Sequence, residues 1–454
     1  MTAATGTAPD VADRVLATVR ERAGSEAAEA EVTVRFGTTA LTRFATSFIH
    51  QNVADEVSHV VLRVALDGRT ASSSLDGPTD DETLGRLVDN VIAAARVAPR
   101  DDGWPGLTPP TEGVDIDHWD DAAAAATPDD RATRVRAFVD AADGLETAGA
   151  CSTAGIEAAF ANSAGHAATG RATRNTIDGI ARTPTADGVG RWTSARLADV
   201  DGAAAGQQAA TRARAASDPI DLEPGRYEVI LGQGAVSNLF TFLLVHGFNA
   251  KAVEEGRSFV RLGEQQFDPS ISLLDDVGDP GLIGLGFDVE GTPRRPVGIV
   301  ERGVSRAILH TRRTAKAAGG DATSTGHAIE GGGPFGALGA SAVVAAGDRD
   351  HDALIGGVER GVYVVDFWYT RILDPRTQVV TGLTRNGLWL IENGKIGPAV
   401  RNLRFTQSFS EALAPGAVRA VGSERELLPS GFGSDLLVPS LHLASWNFTG
   451  GARG

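Results

Sequence analysis

Residues 224–263 read PGRYEVILGQGAVSNLFTFLLVHGFNAKAVEEGRSFVRLG. Tyr227 to Leu231 form a short strand, and a long apolar run from about Gly234 to Glu255 has the length and composition of a buried helix. Downstream, GIVERGVSRAILH (298–310), GVYVVDFWYTRILDP (361–375), GLWLIENGKIGPAV (387–400) and LLVPSLHLASWNFTG (436–450) are short β-branched and aromatic runs separated by glycine turns. These predict strands. The second half is therefore mainly β, barrel-like, around one long central helix.

Upstream the order is helix, strands, helix. Val11, Val15, Leu16 and Val19 recur at helical spacing behind Asp10, which predicts an opening helix from Val11 to about Ala23. Two alternating stretches, residues 31–52 and 57–74, predict paired antiparallel strands, and Thr79 to Ala98 returns to the helical period with acids at its front. Residues 99–117 hold four prolines and no regular period, the pattern of an exposed connector. Thr127-Pro128-Asp129-Asp130 opens a helix from Pro128 to Ala142. Residues 151–184 and 188–201 alternate as further strands, and an alanine-rich helix stops before Pro219. The expected fold class is α+β: an N-terminal α/β domain over 1–218 with a mixed or antiparallel sheet, and a C-terminal β-rich domain over 219–454.

The 454 residues carry 42 basic and 58 acidic side chains, a formal charge of −16. Such a surface repels phosphate, which disfavours nucleic acid and anionic membranes as partners. One cysteine, Cys151, rules out an internal disulfide framework and a multi-cysteine zinc site. With neither a basic leader followed by an apolar core nor about 18 uninterrupted apolar residues, a cytoplasmic location is expected.

Three of the nine histidines, His246, His310 and His327, stand in unusual local sequence. His246 lies late in the apolar run. A metal-binding helix needs a second donor three or four residues on and a carboxylate to take the proton of bound water. Gly247 has no side chain, Lys251 is a cation, and Glu254 is about 12 Å further along at 1.5 Å per residue. A histidine packed where the helix meets the sheet is the favoured reading. His327, in DATSTGHAIEGGGPFG, sits among small residues that suit a binding loop and a solvent loop equally. The acids Asp275, Asp276, Asp279, Asp288 and Glu290 lack the alternation of a calcium loop and read as a solvated turn region. In Tyr363, Phe367, Trp368 and Tyr369 most of the aromatic surface is core, with Trp368 and Tyr369 placed to line a groove. No P-loop and no G-x-S-x-G nucleophile elbow occurs.

Several long stretches together resemble the TldD and TldE (PmbA) family: FIHQNVADEVSHVVLRVALDGRTASSS (48–74), GRYEVILGQGAVSNLF (225–240), FDVEGTPRRPVGIVERGVSRAIL (287–309), STGHA (324–328), residues 361–405 and a closing SWNFTGG (445–451). The resemblance implies a heterodimeric zinc peptidase that trims ribosomally made peptides and degrades unfolded polypeptide, with a β-rich second domain enclosing a shared cavity. The family's catalytic subunit carries H-E-x-x-x-H on the central helix and a later cysteine ligand. Here the matching stretch is HGFNAK (246–251): His246 keeps the first ligand's place, Gly247 replaces the carboxylate, Lys251 replaces the second histidine, and no cysteine follows Cys151. This matches the TldE side, as does STGHA.

The resemblance thus implies a non-catalytic subunit with no cofactor of its own, zinc and general base being supplied by a TldD-like partner. An unfolded peptide would be held against an edge strand, with His246, Asn249, Lys251, His327, Trp368 and Tyr369 as substrate-side candidates. Two alternatives stand beside this: a self-sufficient metal-dependent hydrolase using His246, His327 and a distant acid, and a free-standing peptide-binding protein.

Overall fold

The computed structural model describes residues 6–24, 26, 28–339, 341–429 and 435–451. Helix α1 (Ala8–Ala23) begins three residues before the expected Val11. Thr7 is the cap, and Asp10 sits at the third helical position, where its carboxylate accepts from the Thr7 N–H at 3.0 Å while the Thr7 hydroxyl accepts from the Asp10 N–H, closing a capping box. Val11, Val15 and Val19 are buried as the periodicity requires.

Strands β1 (Ala28–Ala45), β2 (Phe48–Leu66) and β3 (Arg69–Asp76) follow, then α2 (Asp81–Val97), whose N-cap is Asp80. After a short α3 (Asp121–Ala124) come α4 (Pro128–Ala141), β4 (Glu146–Asn162), β5 (Ala167–Arg182), β6 (Asp187–Ser194) and α5 (Gly202–Ala215). Among the described residues these strands form one antiparallel sheet in the order β3-β2-β1-β4-β5-β6. Helices α1 and α2 cover one part of a face around Val32, Val34, Leu62 and Val88, while α4 and α5 pack around Phe44, Phe138 and Ile177. The alanines and glycines have a reason here: a Cβ on Gly190 of β6 would lie 1.8 Å from the Ala205 carbonyl oxygen, so α5 reaches β6 only because the side chains are nearly absent.

Residues 99–117 are the exposed connector expected of their prolines only in part: Pro99, Pro109, Pro110 and residues 111–113 are exposed, whereas residues 103–108 are covered. The covered part lies against the second half, where Lys316 donates to the Asp102 and Trp104 carbonyls (2.9 and 2.7 Å) and Arg312 to the Leu107 carbonyl (2.7 Å). Buried Thr108 donates to Glu290 O. A chain without a ladder is packed because cationic side chains satisfy its backbone acceptors.

The second sheet begins with β7 (Gly225–Leu231), followed by α6 (Gln233–His246), α7 (Ala250–Glu254), β8 (Leu273–Asp275), β9 (Val297–Glu301), β10 (Val304–Ser305), α8 (Arg312–Ala318), β11 (Ser341–Val344) and α9 (His351–Gly356). Then come β12 (Arg360–Asp374), β13 (Val379–Glu392), β14 (Lys395–Ala399), β15 (Leu403–Ser408), α10 (Phe409–Ala412), β16 (Val418–Pro429) and β17 (Asp435–Gly451). The order is β10-β9-β8-β11-β17-β15-β13-β12-β7, and β17 also pairs with β7. That extra ladder closes β7, β12, β13, β15 and β17 into a barrel, as the β-rich reading expected. Helix α6 packs against β12 and β17 with Val236, Leu239, Phe240 and Leu243 fully enclosed, next to Phe367, Phe405, Phe409 and Trp446. No helix among the described residues is long and apolar enough to cross a membrane.

The central helix does not run to Glu255. Gly247 caps α6, its N–H bonded to Leu243 O, and the ladder is taken over by Leu309, which donates to Phe248 O and accepts from the Ala250 N–H. Asn249 then starts α7 by accepting from the Lys251 N–H at 3.0 Å. Phe248 is buried between Phe259 and Phe267. Apolar periodicity runs through the break, so only Gly247 and Asn249 signal it.

Candidate functional site at the end of the buried helix

The α6–α7 corner holds three of the six candidate residues. His246, in the last turn of α6, is half-buried with its ring against Phe242 (5.7 Å between centroids). Burial first, and then the Arg257 charge, lower its pKa, so the imidazole is neutral at neutral pH. A Cβ on Gly247 would lie 2.4 Å from Phe259 Cε1 and 2.6 Å from the Leu243 carbonyl oxygen, so a side chain at 247 has no room. Lys251 places its ammonium 3.3 Å from Glu255 Oε1. Asn249 is committed on both ends: besides capping α7, its amide nitrogen donates to Phe335 O (2.7 Å) and Val245 O (3.3 Å).

Phe335 belongs to the loop that follows His327, and Gly336 packs against Asn249 and Lys251, so the structure brings the STGHA segment to the α6–α7 corner. His327 itself makes its side-chain contacts with other residues. Its side chain is enclosed, with Nδ1 2.9 Å from Thr325 Oγ1 and Nε2 3.0 Å from Asp275 Oδ1. The open-loop reading of His327 is thereby corrected: a ring with an anionic neighbour tolerates burial that a lone imidazole does not.

Asp275 also accepts from Arg294 Nη2 and the Ser341 N–H, both at 3.1 Å. Burial alone would raise its pKa, but His327, Arg294 and the Ser341 N–H outweigh that and hold it well below the usual carboxylate range. Asp288 is buried too, accepting from the Glu290, Thr292 and Ala328 N–H groups at 2.9 Å each; burial and the neighbouring Glu290 push its pKa up. Glu290 accepts from the Arg312 N–H (2.9 Å) and lies near Arg63 and the buried Glu31, which itself pairs with Arg63 at 2.6 Å. The acids expected in a solvated turn therefore divide. Asp276 and Asp279 each accept from a turn N–H two residues on, while Asp275, Asp288 and Glu290 are interior braces that fix the loop bearing His327. Arg294, close by in sequence, was the one local sign of a buried partner for Asp275.

Trp368 and Tyr369 lie elsewhere, exposed on β12 beside a groove shared with residues 182–187 and 383–388. Arg385 sits 4.3 Å over the Trp368 ring, and Tyr369 has φ 50°, which an aromatic side chain adopts at a cost. Tyr363 and Phe367, by contrast, are core.

The donors around His246 do not fit a zinc ion. Zinc wants three or four N, S or O ligands, and the positions one and five residues on offer a hydrogen and an ammonium. Among the described residues no grouping of three or more His, Cys, Asp and Glu has the closeness to hold a metal, so His246, His327 and a distant acid do not assemble. The corner offers instead a neutral imidazole, a paired ammonium and a braced loop.

A mixed α+β chain whose antiparallel sheet leads into a closed barrel with a buried helix is the fold of a known group of structures. TldE from Thermococcus kodakarensis superposes with a TM-score of 0.86 at 18% identity, covering 97% of this chain and 100% of that one. A protein described as a modulator of DNA gyrase from Thermotoga maritima gives 0.83 at 17% identity, covering 98% and 100%. Residues 224–450 match the model of the PmbA/TldA metallopeptidase C-terminal domain, and the chain belongs to the PmbA/TldD family. Curated relatives named metalloprotease include one from Methanothermobacter thermautotrophicus, 25% identical over 142 residues, and one from Archaeoglobus fulgidus, 38% identical over 77 residues. These matches span 31% of each chain in the first case and 16% of this chain and 18% of the relative in the second. The chain is thus a metallopeptidase-like member of its family.

Proposed function

We propose that this chain is the non-catalytic, TldE-like subunit of a two-chain zinc peptidase, shaping the cavity in which a TldD-like partner cleaves unfolded or ribosomally made peptides. The observation that carries this is the α6–α7 corner: His246 keeps a ligand's place, while Gly247 has no room for a carboxylate and Lys251 carries a charge that repels a cation. Zinc and the general base belong to the partner in this reading.

The chain's own part is positional. An extended peptide is held by backbone hydrogen bonds to an edge strand, a mode that tolerates any sequence. The accessible candidates Trp368, Tyr369, His246 and Lys251 touch it, while Asn249 and His327 act through the shape of the corner they brace. Co-expression with a companion bearing H-E-x-x-x-H, followed by hydrolysis assays on unfolded peptides, tests this. Activity with both chains, none with this chain alone, and equal stoichiometry on co-purification are expected. Stoichiometric zinc in the lone chain, with hydrolysis lost in His246→Ala, would overturn it.

A further inference from the structure

A cleft of about 760 Å³ lies between α5 and β6 of the first sheet and β12, β13 and β16 of the barrel, a size typical of a small-ligand site. No candidate residue from the sequence lines it. The charges along it are unevenly satisfied. Arg191 forks onto Asp366 through Nη1 and Nη2, both at 3.1 Å, and gives its Nε–H to Asp178 at 3.0 Å; Asn386 donates to the same Asp366 at 2.7 Å. Arg212 donates to the Val189 carbonyl at 2.9 Å and stands beside the Tyr363 hydroxyl. Arg191 is thus fully committed, while Arg212 has no carboxylate within ion-pair distance among the described residues. At the rim, Arg349 and Arg425 pair with Asp348 and Asp279, each at 3.5 Å.

Two acceptors on the same walls are not satisfied. Glu426 on β16 is half-buried and, among the described residues, its carboxylate has neither a hydrogen bond nor an ion pair, although Arg212 and Arg191 are near enough to act on it through space. Gln208 Oε1, one turn before Arg212 on α5, is buried without a donor. A buried acceptor without a donor, as Gln208 Oε1 is, costs free energy that a ligand's N–H group recovers. Asp178, Asp366 and Glu426 carry three negative charges against the two positive charges of Arg191 and Arg212, so the inner cluster lacks one cation. Leu354, Ile396 and the stacked Tyr363–Trp389 pair (5.5 Å) give the cleft an apolar side.

We infer that this cleft binds a primary ammonium on an apolar stem, the ammonium resting on Glu426 and Gln208. Resting on the peptide-handling function proposed above, the source is a lysine side chain or a free N-terminus of the bound peptide. Burial pushes the Glu426 carboxyl up, as expected of an acid still short of a counter-charge, and a bound cation would reverse that.

The test titrates the full-length chain alone with Nα-acetyl-L-lysine amide, L-norleucine amide and Nα-acetyl-L-norleucine amide at millimolar concentrations, read by calorimetry or NMR. Saturable binding of either cationic compound, at least about tenfold tighter than the neutral one, is expected, since a hydrogen bond to a charged group is worth that factor or more. The lysine compound binding tighter assigns a side chain, and norleucine amide binding tighter assigns an N-terminus. Glu426→Gln, which keeps the shape, should lose the preference with an unchanged melting curve. No binding of the cationic compounds, equal binding of all three, or a preference that survives Glu426→Gln would overturn the inference. A chain that passes this test yet forms no complex with a companion would sink the heterodimer and leave the amine site standing; the reverse pattern would do the opposite.

Discussion

Substituting asparagine for Asp275 keeps the side-chain volume and removes one charge at the point where β8, β11 and the STGHA loop meet. The amide oxygen retains one acceptor position, but the Asp275 contacts to His327 Nε2 (3.0 Å), Arg294 Nη2 (3.1 Å) and the Ser341 N–H (3.1 Å) cannot all be kept, and the NH₂ group then faces a donor. The Arg294 guanidinium, itself buried, is left without its anion. Removing one member of a buried ionic group costs about 3–5 kcal/mol, so Asp275→Asn should lower unfolding stability by that amount. Because the folded pKa of Asp275 lies below its unfolded value near ~3.9, its contribution is complete at neutral pH and is lost as the pH falls below about 4. Urea denaturation at pH 7 and pH 3 reads both effects: a large difference from the parent at pH 7 that shrinks in acid. Combined with His327→Gln, the loss should be smaller than the sum of the two single losses, since each variant orphans the other's partner. A change below about 1 kcal/mol at pH 7, or strict additivity, would refute the assignment of these groups as one brace.

Gly247→Ala should destabilise by about 1–3 kcal/mol, because the added Cβ meets the Phe259 ring and a backbone carbonyl, and Gly247→Glu should not raise zinc content measured by elemental analysis. Glu31, pushed up to about 7 by burial, with Arg63 opposing and Glu290 adding to the shift, binds a proton more tightly folded than unfolded. Stability should therefore fall as the pH rises from about 4.5 to 7, by roughly 3 kcal/mol in the limit, and Glu31→Gln should flatten that slope in denaturation curves. Cys151 is buried, and burial pushes its thiol up to about 11, so a maleimide should label it only after unfolding; native labelling would contradict its place in the core.

Much of the architecture was legible because local patterns and long-range packing agree. Thr127-Pro128-Asp129-Asp130 is a helix start signal and acts as one here, whereas the two alternating stretches, 31–52 and 57–74, are redistributed over three strands, because turns at Thr46-Ser47 and Asp67-Gly68, with φ positive at all four residues, cut through both. The misreadings share a cause. The acids at 275, 288 and 290 look like a solvated turn because His327 and the Ala328 N–H arrive from elsewhere in the fold. The proline-rich stretch looks open for the same reason, its partners being Arg312 and Lys316. At the candidate site, the missing donors of HGFNAK were visible as residue types. That Gly247 has no space around it depends on Phe259, twelve residues on, which no spacing rule connects to it.

Closure of the barrel rests on β17, whose Leu441 pairs with Leu231 of β7 across about 210 residues of chain. During synthesis, α6 leaves the ribosome long before that last wall exists. Its apolar faces, with Val236, Leu239, Phe240 and Leu243, must wait, sheltered by chaperones or by the half-built strands, until β17 emerges. Truncations within β17 should therefore yield insoluble product rather than a smaller folded protein.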